Sequence, residues 1–149
     1  MKYQSTKTFG NDRGLSCAFR QPKATHSHCS LIHGYSLGFK FVFEANTLDD
    51  KNWVYDFGNT KWIKAYLEEN FDHTIAVDTQ DPAVADFARL ETVGIAKIVL
   101  MDGVGCEKFA EHVYNHVAPK VKSESGSRVK LVSVEVFEHG ANSAICIGD

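Results

Sequence analysis

From Tyr35 to Phe43 every second residue is large and apolar: Tyr35, Leu37, Phe39, Phe41 and Phe43. Successive residues of a strand point to opposite sides of its sheet, so this spacing defines a strand with one buried face. The even positions between them, Ser36, Gly38, Lys40 and Val42, are mixed enough to meet water or a neighbouring subunit. Near the end of the chain "RVKLVSVEVFEHG" alternates in the same way, with Val132, Val134 and Val136 predicted on one face. Continued to the strand ends, these parities bring His33 and Glu138 into register with the apolar residues.

Two segments change period. "DFGNTKWIKAYLEENFDH" places Trp62, Ile63, Tyr66 and Leu67 at helical spacing, after Asp and Asn residues suited to an N-cap. "CEKFAEHVYNHVAP" repeats the pattern with Phe109, Ala110, Val113, Tyr114 and Val117, and Pro119 is expected to stop it. Between the two, "GIAKIVLM" is rich in β-branched residues. The order strand, strand, helix, helix, strand, strand predicts an α+β fold, an antiparallel sheet with two helices packed on one face. Its other face is left uncovered, and oligomerisation would cover it.

With 149 residues, 44% of them hydrophobic, and no repeat or proline-rich linker, a single domain over residues 1–149 is expected. "KSESGS" at 122–127 reads as a polar loop. A net charge of −3, with no Lys/Arg cluster among stacking aromatics, argues against nucleic acid as a partner. Apolar runs such as "IVLM" are too short to cross a bilayer, and "MKYQSTKTFGNDRG" has no signal-peptide core, so a cytoplasmic protein without membrane partners is expected. Its cysteines at 17, 29, 106 and 146 are then thiols.

Three groups of residues could carry chemistry. In "HSHCSLIHGY", His26 and His28 can converge if the chain is extended, and His33 can join them across a turn. That would give the three-nitrogen shell of a catalytic zinc with one position open. The alternative is a loop of surface histidines with Cys29 as a small buried hydrophobe. In "ENFDHT", Asp72 can hold His73 in one tautomer as a general base requires, or it can simply cap the helix end. Glu138 in "VEVFEHG" is either a solvated strand end or a paired carboxylate that grips a flat bidentate donor edge, such as that of a 2-amino-4-oxo pyrimidine. Glu107 stands in the first turn of the second helix, where the helix dipole favours an acid.

Taken in order, these blocks resemble the 6-pyruvoyltetrahydropterin synthase and 6-carboxytetrahydropterin synthase family. "CSLIHGYSLGFKFVFEA" is similar to its C-x-x-x-H-G-H stretch and second strand, "VYDFGNTKWIKAYLEENFDHTIAV" to its "DFG…LK…FDH" segment, "GCEKFAEHVY" to the start of its later helix, and "VSVEVFEHGANSA" to its last strand. The resemblance implies the tunnelling fold: a four-stranded antiparallel sheet and two helices, with subunits closing a β-barrel as trimers or hexamers and active sites between subunits. It implies a zinc-dependent lyase acting on 7,8-dihydroneopterin triphosphate to give 6-carboxy- or 6-pyruvoyl-tetrahydropterin, the former on the route to deazapurine nucleosides such as queuosine. Carried over by position, Cys29 is the proton shuttle, Asp72 and His73 assist it, Glu138 anchors the pterin ring and Glu107 is a second acid near it. Lys23 and Arg20 are candidates for the positive charge that phosphate elimination needs.

The departure is at the metal. The family's H-G-H reads His33-Gly34-Tyr35, and its first-strand histidine falls near Phe19. Either His26 and His28 replace the missing ligands and rebuild a zinc site with His33, which two new histidines beside two lost ones favour, or the chain is a pterin- or purine-binding protein that has given up the zinc chemistry.

Overall fold

The alternating segment becomes β3 (His33–Ala45), and Leu37, Phe39, Phe41 and Phe43 are all fully buried in the computed structural model, which describes residues 1–149. Two strands share one edge of β3. β1 (Tyr3–Phe9) pairs antiparallel with Phe39–Ala45, and β2 (Leu15–Phe19) pairs antiparallel with His33–Leu37. They are one line of strand broken by a 3-10 turn at Asn11–Arg13, which Gly14 ends in the left-handed region at φ 77°. The Asn11 side-chain amide donates to the carbonyl oxygens of Ser36 at 2.7 Å and Phe137 at 3.2 Å. At Gly38 a Cβ would lie 3.1 Å from the Asn11 backbone nitrogen, so glycine makes room for this pin.

On the other edge, β6 (Lys130–His139) pairs antiparallel with Gly38–Glu44, and β7 (Asn142–Ile147) pairs antiparallel with β6. Beyond β2 lie β4 (Thr74–Asp78) and β5 (Ile98–Met101), both parallel to their neighbours. The sheet therefore has seven strands in the order β5-β4-β2-β3-β6-β7, with β1 on β3 past the end of β2. This corrects the expectation of a four-stranded, wholly antiparallel sheet. The antiparallel strands β1, β3, β6 and β7 are extended by a parallel pair too short to show a period in the sequence.

There are three helices rather than two: α1 (Lys61–Phe71), α2 (Val84–Thr92) and α3 (Cys106–Glu124). Parallel neighbours cannot be joined by a hairpin, and α2 supplies the crossover from β4 to β5. Pro119 does not stop α3, because the buried stripe Val113, Val117 and Val121 continues past it at a spacing of four. Packing of that stripe outweighs the lost backbone hydrogen bond. The alternation of β6 also contains a shift. Val42 faces Ser133 but Phe43 faces Leu131, so Val132 is an extra residue in a bulge and Leu131 takes the core place expected of Val132. Downstream of the bulge the parity holds through Val134 and Val136, and a second shift, where Phe137 faces Ser143 but His139 faces Asn142, leaves Glu138 as an extra residue at the strand end.

The core is a run of rings between the sheet and the helices. Phe39 lies 5.0 Å from Phe71 of α1, Phe71 lies 5.2 Å from Phe109 of α3, and Phe109 meets Phe19 at the end of β2 edge-on at 5.1 Å. Core packing thus reaches the rim where the candidate site begins. All four cysteines are unpaired, and no helix is long and apolar enough to cross a membrane.

Candidate functional site

Four chain ends meet at this rim: the end of β2, the start of β3, the end of β6 and the N-terminus of α3. Phe19 and His33 are cross-strand partners, and Tyr35 lies two residues along on the same face. Their rings form one cluster, with centroid separations of 4.9 Å for Phe19–His33, 5.6 Å for His33–Tyr35 and 6.1 Å for Phe19–Tyr35. His33 Nδ1 lies 2.8 Å from the Leu31 carbonyl oxygen, which requires the proton on Nδ1 and leaves Nε2 as the free nitrogen.

Glu138 closes the cluster from β6. It is half-buried at the edge of the core, and its charge acts on both the Tyr35 phenol and the Cys106 thiol. Burial first, and then the Glu138 charge, pushes the Tyr35 phenol up. The same causes, with Glu107 added, push the Cys106 thiol up to about 12. Both groups are protonated donors at neutral pH. Glu107 itself is exposed on the first turn of α3.

Cys29 is exposed, which excludes the reading of it as a buried hydrophobe. It sits in a short 3-10 turn, His28–Ser30, whose geometry is held on several sides. Its backbone N–H donates to Ser27 Oγ at 3.0 Å, and its carbonyl accepts from the Gln21 N–H at 2.8 Å. Gln21 in turn donates from Nε2 to the Val104 carbonyl at 2.6 Å, tying the turn to the approach of α3. The turn is close enough to the cluster for Cys29 to act electrostatically on Tyr35.

Arg20 is not free to meet a phosphate. Its Nε and Nη2 fork onto Asp81 at 2.8 and 2.6 Å, and Nη1 donates to the Ser30 carbonyl at 3.2 Å. The Asp81 side chain is only 2% exposed, so this pair is a strut between the Cys29 turn and the start of α2. Lys23 is exposed. Hydrogen bonding to Arg20 holds the Asp81 carboxyl below its ordinary value near 3.8. A carboxylate depressed in this way stabilises the fold fully above its unfolded value, and the contribution is lost as pH falls through the folded value. We expect the stability difference between the parent and Asp81→Asn, from urea unfolding, to be constant above about pH 5 and to shrink below about pH 4. A difference that persists unchanged into strong acid would show that the ion pair does not carry it.

Asp72 and His73 do form a pair, with His73 Nδ1 2.7 Å from Asp72 Oδ1. Asp72 ends α1, and His73 takes the left-handed conformation, φ 55°, that turns the chain into β4. The His73 side chain is 86% exposed, over a shallow groove lined by Ser16, Ala18, Gly34 and Ile75. Ser16, Ala18 and Gly34 are on the face of β2 and β3 opposite to Cys17, Phe19 and Tyr35. Within one chain the pair therefore faces away from the cluster, and no hydrogen bond links it to Cys29 or Glu138.

The histidine-rich stretch does not fold into a metal shell. No three His, Cys, Asp or Glu side chains come together closely enough to share an ion. His26 and His28 are exposed in tight turns rather than on an extended segment, so they do not converge with His33 as their spacing suggested. At the positions where the family resemblance expects the other two ligands, Phe19 offers carbon and Tyr35 a protonated phenol. The donor set of this chain does not fit a three-nitrogen zinc site.

Sequence reasoning counted Cys106 among the thiols but gave it no place. Its position one residue before Glu107, at a helix start, was the available signal. Nothing in the sequence marks Gln21 or Asn11 as supports of the site.

The structure is thus an α+β sheet flanked by helices, with an acid and a thiol at one rim and an Asp-His pair on the opposite face. Residues 10–149 match the family described as 6-pyruvoyl tetrahydropterin synthase, and the chain belongs to that family. It is 25% identical, over 97% of each chain, to the 6-carboxy-5,6,7,8-tetrahydropterin synthase of Aquifex aeolicus. To the enzyme of the same name from Rickettsia bellii it is 28% identical over 74% of this chain and 78% of the other. Its fold is similar to that of the 6-pyruvoyl tetrahydropterin synthase of Plasmodium falciparum, with a TM-score of 0.71 at 15% identity over 97% of this chain and 96% of the other. An uncharacterised protein from Wolinella succinogenes superposes with a TM-score of 0.79 at 20% identity, over 100% and 99% of the two chains.

Proposed function

We propose that the chain binds a pterin at the rim where β2, β3, β6 and α3 meet and performs tetrahydropterin-synthase-type lyase chemistry on it. The observation that carries this reading is Glu138, a half-buried carboxylate at the end of β6 whose charge acts on Tyr35 and Cys106. A carboxylate has about four acceptor sites, enough for the paired N–H groups of a 2-amino-4-oxo ring. With the ring held there, its side chain extends past the Cys29 turn, and the thiol moves a proton at the side-chain carbon. Glu107 adds negative charge beside the ring.

The substrate that suits this arrangement is 7,8-dihydroneopterin triphosphate, and the names of the relatives support a 6-carboxytetrahydropterin product. Asp72 and His73 point outward, so in this reading they assist the Cys29 of a neighbouring copy in a trimer or hexamer. The zinc that the family resemblance implies would polarise a side-chain oxygen. The donors here do not fit that ion, and no step is assigned to it.

The test pairs turnover with binding. Cys29→Ala is expected to abolish conversion of 7,8-dihydroneopterin triphosphate while leaving the affinity for neopterin, followed by quenching of pterin fluorescence, within about 2-fold of the parent. Retained turnover in the variant would remove Cys29 from the mechanism. A second reading, a pterin- or purine-binding protein without turnover, is favoured by Phe19 and Tyr35 at the former ligand positions. It predicts that the parent binds neopterin and converts nothing.

A further inference from the structure

Positions 19, 33 and 35 are arranged as a three-ligand site would be. Phe19 and His33 face each other across the β2–β3 ladder, and Tyr35 follows His33 on the same face, with all three rings in contact. Two of the three side chains bring no ligating nitrogen, and each is committed elsewhere. Phe19 is 2% exposed and packed edge-on against Phe109, so it is a member of the core and cannot swing aside for another ligand. The Tyr35 ring is packed between His33 and His139, at centroid separations of 5.6 and 6.2 Å. His33 has given Nδ1 to the Leu31 carbonyl and keeps a single nitrogen. The aromatic cluster fills the place of an ion and cross-braces the strand ends that an ion would otherwise hold.

We infer that this pocket works without a divalent metal, and that Phe19 and Tyr35 are the two residues that convert a metal shell into an aromatic brace. The inference deepens the pterin reading, on which only its functional importance rests. Metal binding can be measured without any pterin.

The experiment is zinc content after incubation with excess zinc and gel filtration, for the parent, Phe19→His/Tyr35→His, and His26→Ala/His28→Ala. The parent is expected to retain well under about 0.1 zinc per chain, and the double-histidine variant about one, as three histidines with an open position require. Competition with a chromogenic chelator should show a gain in zinc affinity of at least about 100-fold in that variant. Because a histidine at the buried position 19 could impair folding, Tyr35→His alone is measured beside it, with an expected gain of about 10-fold from a second nitrogen. About one tightly held zinc in the parent overturns the inference. If His26→Ala/His28→Ala then removes that zinc, a site rebuilt from the new histidines is the reason. Neopterin affinity with and without EDTA is recorded on the same parent sample. Equal values are expected, and a loss of affinity on chelation overturns metal independence. If neopterin fails to bind in both, the pterin reading falls, and the zinc count decides the inference by itself.

Discussion

Replacing Glu138 by Gln is expected to weaken neopterin binding about 100-fold. The estimate follows from what the substitution removes. A carboxylate accepting two parallel hydrogen bonds loses one good acceptor to an amide N–H that faces the ring's own donors. Hydrogen bonds to a charged group contribute roughly 1.5–3 kcal/mol each, and about 1.4 kcal/mol is a factor of ten. The fold itself should tolerate the change, because Glu138 stands at the strand end where β6 leaves the core. Glu135 on the same strand is the control. It accepts a hydrogen bond from Ser143 at 2.7 Å on the other side of the strand, and Glu135→Gln should leave neopterin affinity unchanged. Equal affinities for the parent and Glu138→Gln would remove the ring anchor from the proposal, whatever happens to turnover. An equal loss in Glu135→Gln would assign the effect to net charge rather than to a specific grip.

The residues of this site differ in how far the sequence announces them. Glu138 was legible because a strand parity leads up to it, and the bulge at Val132 lies upstream, where it shifts Leu131 but leaves Val134 and Val136 in phase; the second shift, at Glu138 itself, was not legible. Asp72 and His73 were legible as neighbours, and the left-handed turn at His73 makes them a hydrogen-bonded pair. The face on which that pair sits was not legible, because it depends on β4 pairing parallel with β2, a contact between distant segments that no local pattern encodes. The histidines at 26 and 28 misled for a related reason. Convergence was argued from an extended chain, whereas hydrogen bonds from Ala24 to Gln21, from Ser27 to Ala24 and from Leu31 to His28 fold the segment into successive turns. In the same way the crossover was not legible: the β-branched run at "GIAKIVLM" marked β5, but the nine residues of α2 carry too little periodicity to stand out and the parallel pairing with β4 is set by a distant segment. What pattern could read was whatever one strand or one helix decides alone. What it could not read was every feature decided by two.

The aromatic brace also makes the site depend on the core, and Phe109→Ala should expose that dependence. Phe109 is fully buried on α3, edge-on to Phe19 at 5.1 Å and to Phe71 at 5.2 Å, so it links α1 and α3 to the end of β2. Truncating a buried phenylalanine removes its transfer free energy and leaves a cavity that the neighbours fill only in part, at a cost of about 4 kcal/mol. That is a large share of the stability of a single domain. Urea unfolding should show the midpoint falling with little change in slope, and Phe109→Leu, which keeps most of the volume, should lose only about 1 kcal/mol. The loss should not stay local. With Phe109 gone, Phe19 can relax into the cavity, and the ring of His33 loses the surface that holds it 4.9 Å away. Neopterin affinity measured well below the unfolding midpoint should therefore fall in Phe109→Ala and hold in Phe109→Leu. A destabilised variant with parental affinity would show that the brace rests on the β2–β3 ladder alone.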